Sequence, residues 1–399
     1  MIDKLETRML LSLLSYELFG GELPTNCANI NWDILIQEAN DHVVTALIYG
    51  AVKHMPGVPK QVIERVREAA IEAARRSVHI GRIQQEIIIK LAAKEIPCAV
   101  LKGTSVACCY PHPSLRMPGD IDLLVGFDRI EDACDALEES DFVRGIESRK
   151  HVDMHRKDAE VELHKEVSEY PGMEKASWLA KYMEHALQHV QVQNMADIEF
   201  PMLSSSYQLI ALLTHMSDHM GTSGVSLRQL CDWAVTIHRL RDDIGDEDIA
   251  LLDKCGLLRY ASIMTHVCEK YLTLPVFERL QEVEEEIVDA VMLELLESGN
   301  FHADRSEWLV AKRMFHPGRS ARTEKTSLAL NYLRNISSIV RCNCPWAKSP
   351  LWIPLFCVFF QLRWIYDVIT GKRKRASVSK AMRIARNHEK LLYDLKLYQ

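Results

Sequence analysis

The sequence predicts an α+β protein, with a small mixed sheet flanked by a helical N-terminal segment and a mostly helical C-terminal region. Two observations carry this. Apolar residues recur at helical spacing through the first 95 residues and again from Ser204 to Ser298. Between Ile96 and about residue 168 the apolar runs are short, of strand length, and end at turn residues. The 399 residues suggest two or three domains as a soft prior. They are read here as a helical segment 1–95, an α/β core 96–200, a helical domain 201–312, and a basic, aromatic-rich helical region 313–399.

In order, Trp32 to Val52 reads as an amphipathic helix that Pro56-Gly57-Val58-Pro59 breaks. Val62, Val66, Ala69 and Ala73 then open a long helix reaching about Lys94. Ile96 to Leu101 is a strand ending at Gly103. Ile121 to Val125 is a second strand, after which Asp128 is placed to cap a helix through Glu139. Val143 to Ile146 and Ala159 to Leu163 make two more strands, the latter followed by His164. Helical patterning from Ser204 to Ser298 is punctuated by Gly221, Gly224, Gly245 and Pro275, and His316-Pro317-Gly318-Arg319-Ser320 reads as a linker.

Composition narrows the function classes. With 48% hydrophobic and 26% charged residues, 17 Gly and 14 Pro, the chain is neither collagen-like nor disordered throughout. Lys+Arg 48 against Asp+Glu 55 gives −7, which disfavours a general nucleic-acid binder. The charge is uneven: from Arg341 to Gln399 there are 12 Lys+Arg against 3 Asp+Glu, so the tail is +9 and the preceding 340 residues are −16. Eleven scattered cysteines with no CxxC pair argue against a disulfide framework or a zinc knuckle and agree with a reducing compartment. The short apolar run Met9 to Leu14, set among Asp3, Glu6 and Glu17, is read as neither a signal nor a transit peptide, so a cytoplasmic location is expected. Ser349 to Leu362, the longest uncharged stretch, has 14 residues, against the roughly 20 a membrane span requires.

The chemistry concentrates in Leu101-Lys102-Gly103-Thr104-Ser105 and in Arg116-Met117-Pro118-Gly119-Asp120-Ile121-Asp122-Leu123-Leu124-Val125. Side chains two apart on a strand share a face, so Asp120 and Asp122 aim at one point while Ile121 and Leu123 enter the core. Two converging carboxylates suit Mg²⁺, which is held by one or two carboxylates together with substrate phosphates. A Gly-Thr-Ser turn after an apolar strand offers N–H groups and hydroxyls to a phosphate.

These segments resemble the nucleotidyltransferase superfamily related to polymerase beta. The longer pattern, from Leu101-Lys102-Gly103 through Tyr110-Pro111, Arg116 and Gly119 to Val125, looks like a bacterial family of uncharacterised nucleotidyltransferases. The likeness extends from the Trp32 helix to about Leu240, where Leu227-Arg228-Gln229-Leu230-Cys231-Asp232 resembles a helical Leu-Arg-x-x-x-Asp element. One departure is Thr104, where the superfamily usually has Gly or Ser. The resemblance implies a nucleotidyltransferase-type sheet and transfer of a nucleoside monophosphate from an NTP, with ATP one candidate, releasing pyrophosphate.

It also implies two Mg²⁺ ions, with Mn²⁺ as a substitute, on Asp120, Asp122 and a third carboxylate. Glu162 is chosen for the third, with Glu160 competing, and could also take the acceptor's proton. Gly103, Thr104 and Ser105 cradle the β and γ phosphates, while Lys102 and Arg116 neutralise charge. His164, Arg228 and Asp232 are placed near the nucleotide, His164 also reading as a structural hydrogen-bond partner and Arg228 with Asp232 as a helical ion pair. The acceptor is open: a small molecule, a protein side chain or an RNA end.

Three histidine pairs sit four apart: His151 with His155, His185 with His189, and His215 with His219. None has the HExxH glutamate, but His215-Met216-Ser217-Asp218-His219 keeps open a metal-dependent phosphohydrolase. A vestigial nucleotide-binding or interaction protein is the non-enzymatic alternative. Near the C-terminus Trp352, Phe356, Phe359, Phe360, Trp364 and Tyr366 precede Lys372-Arg373-Lys374-Arg375, a pattern open to a peripheral membrane surface or another anionic partner.

Overall fold

The computed structural model describes Ile2 and residues 4–167, 176–195, 198–222, 224–298, 306–312, 352–370 and 377–397, with single positions between 314 and 335. Contacts divide the chain into two units, the first made of Met1–Tyr170, Lys175–Met220 and Gly224–Phe301. Its N-terminal helices are α1 (Leu5–Phe19), α2 (Trp32–Asp41), α3 (Tyr49–His54) and α4 (Lys60–Ala93). The predicted helix from Trp32 to Val52 is therefore two helices. Val43 adopts φ 59°, a left-handed conformation in which the helix cannot continue, and Val44 N–H bonds back to Ala39 O.

Seven strands form one mixed sheet: β1 (Ala99–Val100), β2 (Ile121–Leu124), β3 (Val143–Glu147), β4 (His151–Arg156), β5 (Ala159–His164), β6 (Val190–Met195) and β7 (Ile198–Leu203). Their spatial order is β3-β4-β5-β2-β1-β7-β6. β2 runs parallel to β5 and antiparallel to β1, and β1 runs parallel to β7. Strands β4, β6 and β7 extend the sheet beyond the four strands predicted. Helix α5 (Thr104–Ala107) follows β1, and α6 (Ile130–Glu138) follows β2. The side chain of Asp128 does not cap α6: it lies within a 3₁₀ turn at Phe127–Arg129, so Arg129 is the N-cap residue.

Alternation along the strands separates core from cleft. Ile121 and Leu123 of β2, Val152 and Met154 of β4, and Val161 and Leu163 of β5 join Ile80, Ile83, Ile87 and Leu91 of α4 in one buried cluster. Their neighbours Asp122, His151, Asp153, Glu162 and His164 lie on the opposite face. That face is met by α8 (Ser205–Gly221) and α9 (Leu227–Leu240), after α7 (Ala176–Met183). A capping box from Ser226 and Gln229 fixes the start of α9. Helices α10 (Asp246–Lys254), α11 (Leu258–Leu272) and α12 (Glu285–Ser298) complete the helical part, with Trp233 of α9 buried and donating to Thr265 of α11 at 3.0 Å.

The second unit is Pro171–Glu174, Gly221–Ser223 and His302–Gln399. Its described helices are Ser306–Lys312, Trp352–Ile369 and Val378–Asp394. Among the described residues no helix is long and apolar enough to cross a membrane. The predicted linker at residues 316–320 and the cluster at residues 372–375 lie outside the described residues.

Candidate active site

A cavity of about 350 Å³ opens within the first unit, between the polar face of the sheet and helices α8 and α9. Asp122 and Glu162 are register partners on the adjacent parallel strands β2 and β5. Both side chains therefore emerge at one level of one face. Asp120, one residue before β2, stands on the exposed lip of the same cavity. Glu162 lines the cavity, whereas Glu160 lines a neighbouring groove that shares Gly119 and Asp120.

The three carboxylates line one cavity, and their charges act on one another. Partial burial, with the negative charges of Asp122 and Glu162, raises the pKa of Asp120. Burial opposes the charged form of Asp122 too, but Lys102 Nζ at 2.7 Å and His164 Nε2 at 3.0 Å overcome it and hold its pKa far below the usual carboxylate range. Lys102 shows the converse: burial works to lower its pKa, but Asp122 and Glu162 prevail and raise it. His164 Nε2 also reaches Glu162 Oε2 at 3.1 Å, and against the effect of burial the two carboxylates raise the imidazole pKa. An ammonium and an imidazole thus occupy the space among the acids where a cation is demanded.

The turn after β1 brings fewer groups to the cavity than the sequence reading assigns to it. Gly103, at φ 59° and ψ −107°, adopts a conformation reserved for glycine, and a Cβ there would lie 3.8 Å from Asp120 O. Lys102 and Gly103 line the cavity, but Thr104 and Ser105 do not. Thr104 Oγ1 donates to Gln84 Oε1 at 2.9 Å, and Ser105 Oγ donates to Lys102 O while accepting from Gln208 Nε2 at 3.1 Å. Both hydroxyls thus donate within the protein, Thr104 to α4 and Ser105 to its own turn.

Arg116 lines the cavity and is held there in an ion pair. Its Nε and Nη2 donate to Asp232 Oδ1 and Oδ2 at 2.7 and 2.8 Å, a buried bidentate pair to which Tyr110 adds a hydroxyl donated to Oδ1 at 2.7 Å. Arg116 and Asp232 face the cavity, yet they neutralise each other and tie the loop before β2 to α9. Arg228, one turn earlier on α9, is the better-placed cation. It lines the cavity, its buried Nε has no hydrogen-bond partner, and it joins no ion pair among the described residues. Burial and the neighbouring Arg116 lower its pKa.

His215 and His219 project from α8 into the cavity with ring centroids 4.4 Å apart. Burial and the nearby Lys102 depress both pKa values, His219 to about 4 and His215 well below the ordinary 6.5. Asp218 instead pairs with Lys150 at 2.7 Å. Among the described residues the His/Cys/Asp/Glu groups arranged to hold a metal do not include this histidine pair. His151, which sequence reasoning does not assign to the site, lines the cavity from β4, with Asp153 on the same strand face; the signal available for them is the alternation of His151, Asp153 and His155 with Val152 and Met154. His185 and His189 flank a 3₁₀ turn away from the cavity lining.

The mixed sheet thus carries paired acids beside a glycine turn, under a helical cover. Residues 28–273 match the family described as "Uncharacterised nucleotidyltransferase", and the chain belongs to that family. No curated protein and no solved structure matches it.

Proposed function

We propose that the protein is an enzyme that transfers a nucleoside monophosphate from an NTP to an acceptor, releasing pyrophosphate. The observation that carries this reading is the pairing of Asp122 with Glu162 across β2 and β5, in one cavity with Asp120, Lys102 and Arg228. The donor set suits Mg²⁺, or Mn²⁺ in its place, because three carboxylates lining one cavity offer hard oxygen atoms; burial, with the negative charges of Asp122 and Glu162, raises the pKa of Asp120. When bound, Mg²⁺ supplies neutralisation of triphosphate charge and activation of the acceptor oxygen.

The chain's own groups do the rest. Lys102 and Arg228 bind the phosphates, Lys102 as a point charge and Arg228 through its fork of N–H donors. Asp120, Asp122 and Glu162 hold the cation. Of the two acids paired across β2 and β5, Glu162 is the more open, its side chain 27% exposed against 8% for Asp122, and it takes the acceptor's proton. The acceptor oxygen bonds to the α phosphorus, the bond from that phosphorus to the bridging oxygen breaks, and pyrophosphate leaves. His164 holds Asp122 and Glu162 in register, and the Arg116–Asp232 clamp positions α9.

The test is incubation with each α-labelled NTP, Mg²⁺ and a lysate as the source of acceptor. Label transferred to a product by wild type and not by Asp122→Asn supports transfer. Equal labelling by both proteins contradicts it.

A further inference from the structure

We infer that His151, Glu162 and His164 form a nitrogen-rich site for a divalent first-row transition ion, distinct in chemistry from the oxygen-only set of Asp120, Asp122 and Glu162. One ligand atom from each of the three lies within 4.8 Å of the others. They come from adjacent strands in direct register: His151 faces His164, and Asp153 faces Glu162, across the antiparallel β4–β5 pair. The site therefore stands on sheet, not loop.

The hydrogen bonding around His151 has the form expected of a metal ligand. Its Nε2 contacts Asp153 Oδ1 at 3.1 Å. A carboxylate on one ring nitrogen fixes the tautomer and leaves the other nitrogen's lone pair free, the arrangement found behind ligating histidines. The other nitrogen, Nδ1, is buried without a hydrogen-bond partner and points toward Glu162 Oε2 at 3.8 Å. His164 Nε2 lies 3.1 Å from the same oxygen and 3.0 Å from Asp122 Oδ1. Two imidazole nitrogens beside carboxylate oxygens favour Mn²⁺ through Zn²⁺ over Mg²⁺, which takes hard oxygen donors.

This assignment shares Glu162 with the proposed transfer site but stands without that reading, and its readout is spectroscopic. The full chain, freed of metal with chelator, is titrated with Co²⁺ in millimolar Mg²⁺, following the d–d absorption band. The expected result is saturation at about one equivalent, with affinity falling roughly 10- to 100-fold in Asp153→Asn and further in His151→Ala. Circular dichroism verifies that both variants fold; Asp153→Asn, conservative in shape, carries the test if His151→Ala does not. Displacement of Co²⁺ by equimolar Mg²⁺, or unchanged Co²⁺ affinity in the folded variants, overturns the assignment. Failure of nucleotidyl transfer with an intact Co²⁺ signal counts against the transfer reading and leaves this one standing.

Discussion

At the residue scale, Lys102 and Arg228 carry the positive charge that faces the acids, but they do so differently. Lys102 is already engaged with Asp122 at 2.7 Å, whereas Arg228 keeps a buried, unpartnered Nε. Binding a phosphate therefore satisfies an orphaned donor on Arg228 and costs no existing ion pair there. Arg228→Ala is expected to raise the KM for NTP by about 10- to 100-fold, the range for loss of a charge-assisted hydrogen bond, with kcat changed less. Steady-state kinetics with varied NTP measures the split. His215 and His219 make a separate prediction. Their folded pKa values lie below the ordinary 6.5, so the unfolded chain binds more protons in acid. The contribution of each is complete above pH 6.5 and is lost as the pH falls, that of His219 toward about 4, with a slope up to about 1.4 kcal/mol per pH unit for each group. Thermal unfolding across this window is expected to show a shallower acid slope in His219→Gln than in wild type.

At the element scale, α9 is bound to the loop before β2 by charge. Arg116, Asp232 and Tyr110 are all buried, so removing one charge leaves its partner uncompensated. Asp232→Ala is expected to destabilise by about 3 to 5 kcal/mol, while the double replacement Arg116→Met with Asp232→Leu costs much less. Denaturant midpoints for wild type, singles and double check this, and a double variant as unstable as Asp232→Ala contradicts it. The acidic positions were legible in the sequence because period-two alternation assigns Asp122 and Glu162 to the face opposite Ile121 and Val161. The hydroxyls of Thr104 and Ser105 were not, because their partners Gln84 and Gln208 come from distant helices that no local pattern connects to the turn. Arg116 and Asp232, separated by 116 positions, pair for the same reason without a sequence signal. Strand β4 was missed because its His151-x-Asp153-x-His155 face is polar and half-exposed, so little apolar contrast marked it.

At the scale of the whole molecule, charge separates along the chain. The first 340 residues carry −16 and the tail carries +9. In the tail, helix Trp352–Ile369 exposes Leu355, Val358, Leu362 and Ile369, and helix Val378–Asp394 exposes Lys380, Arg383, Arg386 and Lys390. Apolar and basic side chains together suit an anionic surface, and we propose that the tail makes that contact. Co-sedimentation with phosphatidylserine vesicles is expected at low salt and is expected to fall steeply as salt is raised, with little binding to neutral phosphatidylcholine vesicles. The split was visible from composition alone; the placement of residues 372–375 lies outside the described residues.

The central claim is that Asp120, Asp122 and Glu162 hold a cation against a triphosphate in one cavity. Calorimetric titration with a non-hydrolysable α,β-methylene NTP, with Mg²⁺ and then with chelator, tests it most directly. The account predicts Mg²⁺-dependent binding that weakens about tenfold or more in Asp122→Asn and Glu162→Gln. Equal affinity with chelator present, or equal affinity in the carboxylate variants, would contradict it.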